Sequence, residues 1–371
     1  ARSDRHLWSD RYDRELSDVL ALQSDVARAV AEQVRLELTP AERAALTVSR
    51  AVDPQAYEAY LQGLQLRGPP GLVGAWGPRA VERLEKAVEL APDLAEAYAA
   101  LAQVRLYMGL MGTTPNYRDE FSKAREAAQR ALDLDHELGG AHATLGHVRV
   151  DADWDFAGAR RAFERALQLS PSDPAVLNAY AWYLLQVEGR TDEALDLSER
   201  VLRVAPLDLF YRSEQVGLLY RARQYERALD EVERIRKLDP DSANPWAAET
   251  YFKLGRLEEA YHAYLAFFEQ CGPPCDPFKE PYQRGWAEGG FEEATRAWLK
   301  VATGIDGYSP YLIARGYSMI GETEEAFAWL ERGYRERLPQ MTTLRADPAL
   351  DPLRSDPRFD DLLRRIGFPE E

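Results

Sequence analysis

The sequence predicts an all-α array of about eight helical hairpins, and three regularities carry that prediction. A small residue recurs inside an amphipathic helical pattern at Ala80, Ala124, Ala159, Ala194, Ala228, Ala260, Ala294 and Ala326, at intervals of 44, 35, 35, 34, 32, 34 and 32 residues. One turn later stands a larger apolar residue such as Leu84, Phe163, Val232, Tyr264, Trp298 or Leu330, and a further turn on Ala87, Ala131, Ala166, Val201 or Ile235. The three share one helix face, where the small residues let another helix come close and the large one fills the gap. Five residues beyond the third position come Pro92, Pro171, Pro206 and Pro240, each of which stops its helix and opens the next turn. A unit of this length buries its apolar face only by stacking on its neighbours.

The turn before each small residue completes the unit. In Gly189-Arg190-Thr191-Asp192-Glu193 and Gly255-Arg256-Leu257-Glu258-Glu259 the glycine ends one helix and the acidic residues suit the positive end of the next. Residues 68–77, inside the first hairpin, and about ten extra residues at 109–117 are expected as surface loops. His136 and Gly272 stand where closing prolines are expected, and Val216 blurs the small-residue position of its helix.

These residues resemble the tetratricopeptide (TPR) family, notably Asp153-Trp154-Asp155-Phe156-Ala157-Gly158-Ala159 through Phe163, Ala166 and Pro171, then Ala179-Tyr180-Ala181-Trp182-Tyr183-Leu184-Leu185. The resemblance covers residues 55–338 and implies a right-handed superhelical solenoid whose first helices line a concave face. In the central hairpins the candidate peptide-binding groove residues are His147, Asn178, Trp182, Phe210, Ser213 and Tyr220, which pair aromatic faces with hydrogen-bonding tips. Family members that grip the acidic carboxyl tail of chaperones use Lys and Asn on first helices. Here the matching positions hold Tyr60, Ala99, Ala143 and Trp182, which disfavours that ligand.

Both ends leave the repeat. His6-Leu7-Trp8-Ser9-Asp10-Arg11-Tyr12-Asp13-Arg14 reads as a strand and residues 17–38 as a helix. With Ala21-Leu22-Gln23-Ser24-Asp25-Val26-Ala27 they resemble the tail of the TolB-like domain that precedes TPR arrays in bacterial signalling proteins. The expected division is therefore a partial TolB-like remnant at 1–47, the array at 55–338 and a closing segment at 339–371. The resemblance implies a parent protein whose kinase, cyclase or winged-helix output domain lies upstream, and it leans toward an extracytoplasmic location, with the cytoplasm as the alternative. At the other end Asp356 can cap a helix with Pro357 at its first position. Phe359, Leu362, Leu363 and Ile366 give that helix one apolar face, Gly367 stops it, and it is expected to cap the solenoid.

With 62 acidic against 46 basic side chains the formal charge is -16, which repels phosphate backbones, so no nucleic-acid partner is expected. No membrane-length apolar run appears, and no direct insertion by this chain is expected. No cofactor or metal is expected. His6, His136, His142, His147 and His262 form no zinc-binding pair. Asp151, Asp153 and Asp155 open like a calcium loop, but Phe156 and Ala162 occupy the positions that need glycine and glutamate. Asp151 and Asp153 are instead expected to solvate a turn, and Asp155 to cap the helix that follows. Gly316-Tyr317-Ser318-Met319-Ile320-Gly321 is one residue too long for a nucleophile elbow. Cys271-Gly272-Pro273-Pro274-Cys275 suits a turn better than a redox pair, and a bridge between its cysteines is left open.

The expected function is a non-catalytic scaffold or sensor module that binds a protein or peptide, or associates with itself. A module capturing a small solute, and an enzyme whose site is assembled from distant groove residues, are the alternatives.

Overall fold

The computed structural model describes residues 52–66, 73–110 and 117–369. The strand and helix expected before residue 48 lie outside these, as do parts of both insertions. The 68–77 insertion is helical from Val73, and helices run to Leu110 and resume at Tyr117 on either side of the other.

Among the described residues eight hairpins follow in chain order. They are α1 (Pro54–Gln65) with α2 (Val73–Leu90), α3 (Ala95–Leu110) with α4 (Tyr117–Leu134), α5 (Gly139–Val148) with α6 (Phe156–Leu169), and α7 (Pro174–Tyr183) with α8 (Thr191–Val204). Then come α9 (Leu209–Arg221) with α10 (Tyr225–Leu238), α11 (Pro245–Lys253) with α12 (Leu257–Cys271), the two arms of α13 (Asp276–Ala302), and α14 (Pro310–Met319) with α15 (Thr323–Arg335). In α13 the backbone leaves helical geometry at Gly289 and Gly290, so the chain doubles back. Gly285 of the first arm lies so close to the second that a Cβ there would meet the Glu293 carbonyl oxygen at 2.4 Å.

The same local chemistry builds most units. First helices start on an Asp or Asn cap followed by proline, at Asp53-Pro54, Asp173-Pro174 and Asn244-Pro245, where the side chain accepts from the first free N–H groups and proline lacks the donor that would be orphaned. Asp155 caps α6 in the same way, accepting from Gly158 N at 2.9 Å. All eight repeating alanines, from Ala80 to Ala326, are fully buried at the hairpin contacts. Their larger partners Leu84, Phe163 and Leu330 are buried with them, so the packing code sits where the spacing placed it. Cys271 and Cys275 are joined by a disulfide across the turn between α12 and α13.

Between the two helices of a hairpin the chain passes through a left-handed residue: Trp154, Gly189, Arg223, Gly255, Gly290 and Gly321 in hairpins three to eight. Glycine adopts that conformation freely, whereas side-chain-bearing residues do so at a cost of about 1 kcal/mol. Trp154 and Arg223 are thus exceptions within an otherwise glycine position. In hairpins three and four the first helix also widens into a π turn, Arg149–Asp153 and Leu184–Glu188.

After α15 the chain does not go straight to its closing helix. It passes through a left-handed Arg337 and two 3-10 turns, Pro339–Thr343 and Pro348–Leu353, before α16 (Pro357–Ile366). Helix α16 is the cap expected: Asp356 accepts from Arg358 N, Gly367 ends the helix in the left-handed region, and Phe359, Leu362 and Ile366 are buried. Arg358 pairs with Glu324 and Arg365 with Glu331, tying α16 to α15.

Candidate interaction site

The stretch between α15 and α16, residues 336–354, forms a strap laid across the far ends of the first helices of six hairpins. At its start Tyr117 Oη and Arg118 Nη2 donate to the Glu336 carbonyl at 2.9 and 2.7 Å. Arg337 Nη2 donates to Asp153 O, and its guanidinium lies 4.5 Å from the centre of the Trp154 ring, which also faces Tyr334. Gln340 Nε2 then donates to Leu110 O, Thr342 Oγ1 to Asp151 Oδ1 at 2.7 Å, and Arg345 Nη1 to Val187 O. Three of these acceptors are main-chain oxygens near the end of a first helix, where carbonyls lack intrahelical partners and the helix dipole is negative. Arg and Gln side chains of the strap supply the missing donors. The π turns shape two of the meetings: Val187 and Asp151 both belong to them, and wide turns of this kind redirect groups at functional positions.

The middle of the strap is held by charge. Asp347, fully buried, accepts from Tyr311 Oη at 2.8 Å and from Ala349 N at 3.0 Å, and its Oδ2 lies 2.8 Å from Arg315 Nε and 4.0 Å from Arg221 Nη1. Arg315 also pairs with Glu249, and Ser318 Oγ donates to Ala349 O. Burial opposes charge on Asp347, but the Arg315 and Arg221 guanidiniums and the Tyr311 hydroxyl outweigh it and hold the carboxyl below the usual aspartate range. One helical turn on, Asp351 is paired by Arg223 at 2.7 Å, Lys253 at 3.4 Å and the strap's own Arg354 at 2.7 Å. Against the pull of partial burial, Arg354 and Arg223 lower its pKa too. Around these carboxylates Leu338, Met341, Leu344, Leu350 and Leu353 are buried in the same core as the hairpins.

Arg221 is the least satisfied member. It is 6% exposed, stacked between the rings of Trp182 and Trp246 at 5.7 and 5.3 Å, and its Nε and Nη1 find no hydrogen-bond acceptor. On the same helix, Gln215 Oε1 is buried without a donor.

The six groove residues expected from the sequence all lie on first helices, α5, α7 and α9. Asn178 and Trp182 both donate to Glu214 Oε2, at 3.0 and 2.6 Å. Ser213 accepts from Asn244 Nδ2, Phe210 meets Tyr107 edge-on, and Tyr220 is sealed against Trp246. His147 lies 3.5 Å from Asp151 and edge-on to Phe163. Asn178, Trp182, Phe210, Ser213 and Tyr220 are all buried by the protein itself. Two reach the strap through one intermediary: His147 through Asp151 to Thr342, and Trp182 through Arg221 to Asp347. Asp151, expected to solvate a turn, is instead buried as the acceptor for Thr342. Sequence reasoning misses the strap itself, although the spacing of Leu338, Met341 and Leu344 marks a segment that must be covered.

Comparison with solved structures bears on the fold. The human IFIT1 dimer with m7Gppp-AAAA aligns with a TM-score of 0.51 at 16% identity, over 85% of this chain and 77% of that one. Together with hairpins of TPR length and a buried alanine in the second helix of each, that likeness supports the fold. The chain has a TPR-type fold. YrrB, described as a TPR protein with an unusual peptide-binding site, aligns more loosely, with a TM-score of 0.30 and 19% identity over 65% of the TPR chain described here and 98% of its own. No family model matches the sequence. Among curated proteins, the putative adenylate cyclase 3 of Rhizobium meliloti (strain 1021) is 32% identical over 143 residues, 38% of this chain and 24% of the cyclase. The transcriptional regulator HilA of Salmonella typhimurium is 30% identical over 157 residues, 42% of this chain and 27% of the regulator. The TPR chain thus matches about a quarter of the length of each of these relatives. Among the described residues, no group of three or more His, Cys, Asp or Glu could hold a metal ion, and no helix is long and apolar enough to cross a membrane.

Proposed function

We propose that this chain is a non-catalytic protein-interaction scaffold belonging to a bacterial signalling protein. The observation that carries the reading is the strap: six hairpins offer helix-end carbonyls, arginines and apolar side chains to one stretch of polypeptide. A surface that holds a segment of its own chain in this way has the chemistry to hold a peptide. The two curated relatives, a putative adenylate cyclase and a transcriptional regulator, support a parent protein with a signalling output. In this reading the first-helix residues His147, Asn178, Trp182, Phe210, Ser213 and Tyr220 support a peptide from behind, through Asp151 and Arg221.

The test compares ligand classes on the intact chain. Thermal melts are recorded with a library of random peptides, with nucleotides and with simple sugars. The scaffold reading expects saturable stabilisation by a subset of peptides and none by the small solutes. A saturable shift from a nucleotide or sugar, with no responding peptide, rejects it.

A further inference from the structure

We propose that the edge beneath the strap is a docking surface for an acidic, leucine-bearing segment of another protein, and that residues 338–354 occupy it as an intramolecular stand-in. The inference rests on the scaffold reading and adds where the partner binds and what it looks like.

Three independent features converge. First, the array directs four cations at the strap from three hairpins: Arg221 and Arg223 from the fifth, Lys253 from the sixth and Arg315 from the eighth. In a chain of formal charge -16 such a gathering of inward-facing cations is a local exception, and it meets two strap carboxylates, Asp347 and Asp351. Second, the stand-in underfills the site. Arg221 is more than nine-tenths buried, yet its Nε and Nη1 have no acceptor and the nearest strap carboxylate oxygen is 4.0 Å away. The two unmet donors lie on different edges of the planar guanidinium, so each offers one charge-assisted hydrogen bond to a carboxylate oxygen, and Asp347 spends its oxygens on Arg315, Tyr311 and the Ala349 N–H. Third, the two hairpin turns that carry a strained side chain in place of glycine, at Trp154 and Arg223, are the ones whose side chains hold the strap. Backbone strain of this kind persists where the side chain it presents is used.

The site therefore specifies its occupant: a segment with leucine-sized side chains around two carboxylates one helical turn apart, one carboxylate aimed at Arg221 and Arg315, the other at Arg223 and Lys253. An upstream basic residue would pair with the helix-end carbonyls, as Arg345 does with Val187.

The test uses full-length protein and a fluorescein-labelled synthetic peptide of residues 338–354, followed by anisotropy. Asp351 is the position to loosen, because it is only partly buried and D351N should fold. The D351N chain is expected to bind the peptide at least tenfold more tightly than wild type. Adding R223Q should remove the gain, and a peptide with asparagine at both aspartate positions should bind at least tenfold more weakly. Should D351N unfold without cooperativity, Arg345→Ala, which frees the strap from Val187, provides the same comparison. A cooperatively folding loosened variant that binds no better than wild type, or binds the asparagine peptide equally well, overturns the proposal. So does a concentration-dependent dimer of the loosened variant that the peptide dissolves, since that gives the surface to a second copy of this chain. If library peptides bind while the strap peptide fails, the docking site falls and the scaffold reading stands.

Discussion

Asp347 in the strap and Arg315 in α14 form a buried ion pair, with Nε 2.8 Å from Oδ2 and the carboxylate wholly shielded from solvent. Removing one partner leaves the other charged and desolvated. The Asp347→Ala variant should therefore lose about 3–5 kcal/mol in urea denaturation. Arg358→Ala, which removes exposed pairs with Glu324 and Asp356 and the guanidinium over the Phe327 ring, should shift the urea midpoint far less. Equal losses from the two would mean the buried pair contributes nothing special.

The same carboxylates set an acid limit. Asp347 and Asp351 have folded-state pKa values below their ordinary ones, so the unfolded chain binds more protons between the two values. Their contribution is complete above the ordinary aspartate value of about 3.9 and is lost as pH falls below it. Stability measured from pH 7 to pH 3 should show the wild-type advantage over D351N shrinking below about pH 4. An advantage that grows on acidification would contradict the assignment.

Two glycines make opposite forecasts. At Gly285 a Cβ would press on the Glu293 carbonyl of the facing arm at 2.4 Å, so Gly285→Ala should destabilise by about 1–3 kcal/mol. Gly140 lies in α5 with nothing within 4 Å of the place a Cβ would take, and Gly140→Ala should stabilise by about 0.4–1 kcal/mol through the unfolded chain. Thermal melts of the pair read both signs at once.

At Arg223 a strained backbone and a useful side chain oppose each other. Arg223→Gly relieves the left-handed strain, worth about 1 kcal/mol, while losing the contact with Asp351. Its net effect on melting should be smaller than that of Arg223→Ala, which loses the contact and keeps the strain. Amide exchange at residues 347–353 should nevertheless quicken in both variants. Unchanged exchange would detach Arg223 from the strap.

The hairpins are legible in the sequence because their cause is local. Each buried alanine, with its partner one turn on and its closing turn, lies within a single unit, and Asp356-Pro357 through Gly367 likewise encodes its own helix. The strap is not legible for the opposite reason. Asp347 gains its meaning from Arg221, Tyr311 and Arg315, which lie on two separate hairpins, and no spacing within the sequence relates them. The groove residues are exposed first-helix positions by spacing alone, and the sequence holds no sign that Glu214 engages Asn178 and Trp182 inside the protein.

The meeting of the last hairpin with the second and third has a consequence for how this chain comes apart. Repeat arrays are commonly quasi-one-dimensional: each unit senses only its neighbours, and the ends fray first. Here Tyr117 bonds to Glu336 and Trp154 faces Tyr334, joining positions 219 and 180 residues apart in the chain. Contacts of such sequence separation raise contact order and slow the search for the native state. They also bind early and late units into one cooperative block, so a hairpin deleted from the middle would break the closure of the whole instead of shortening a rod.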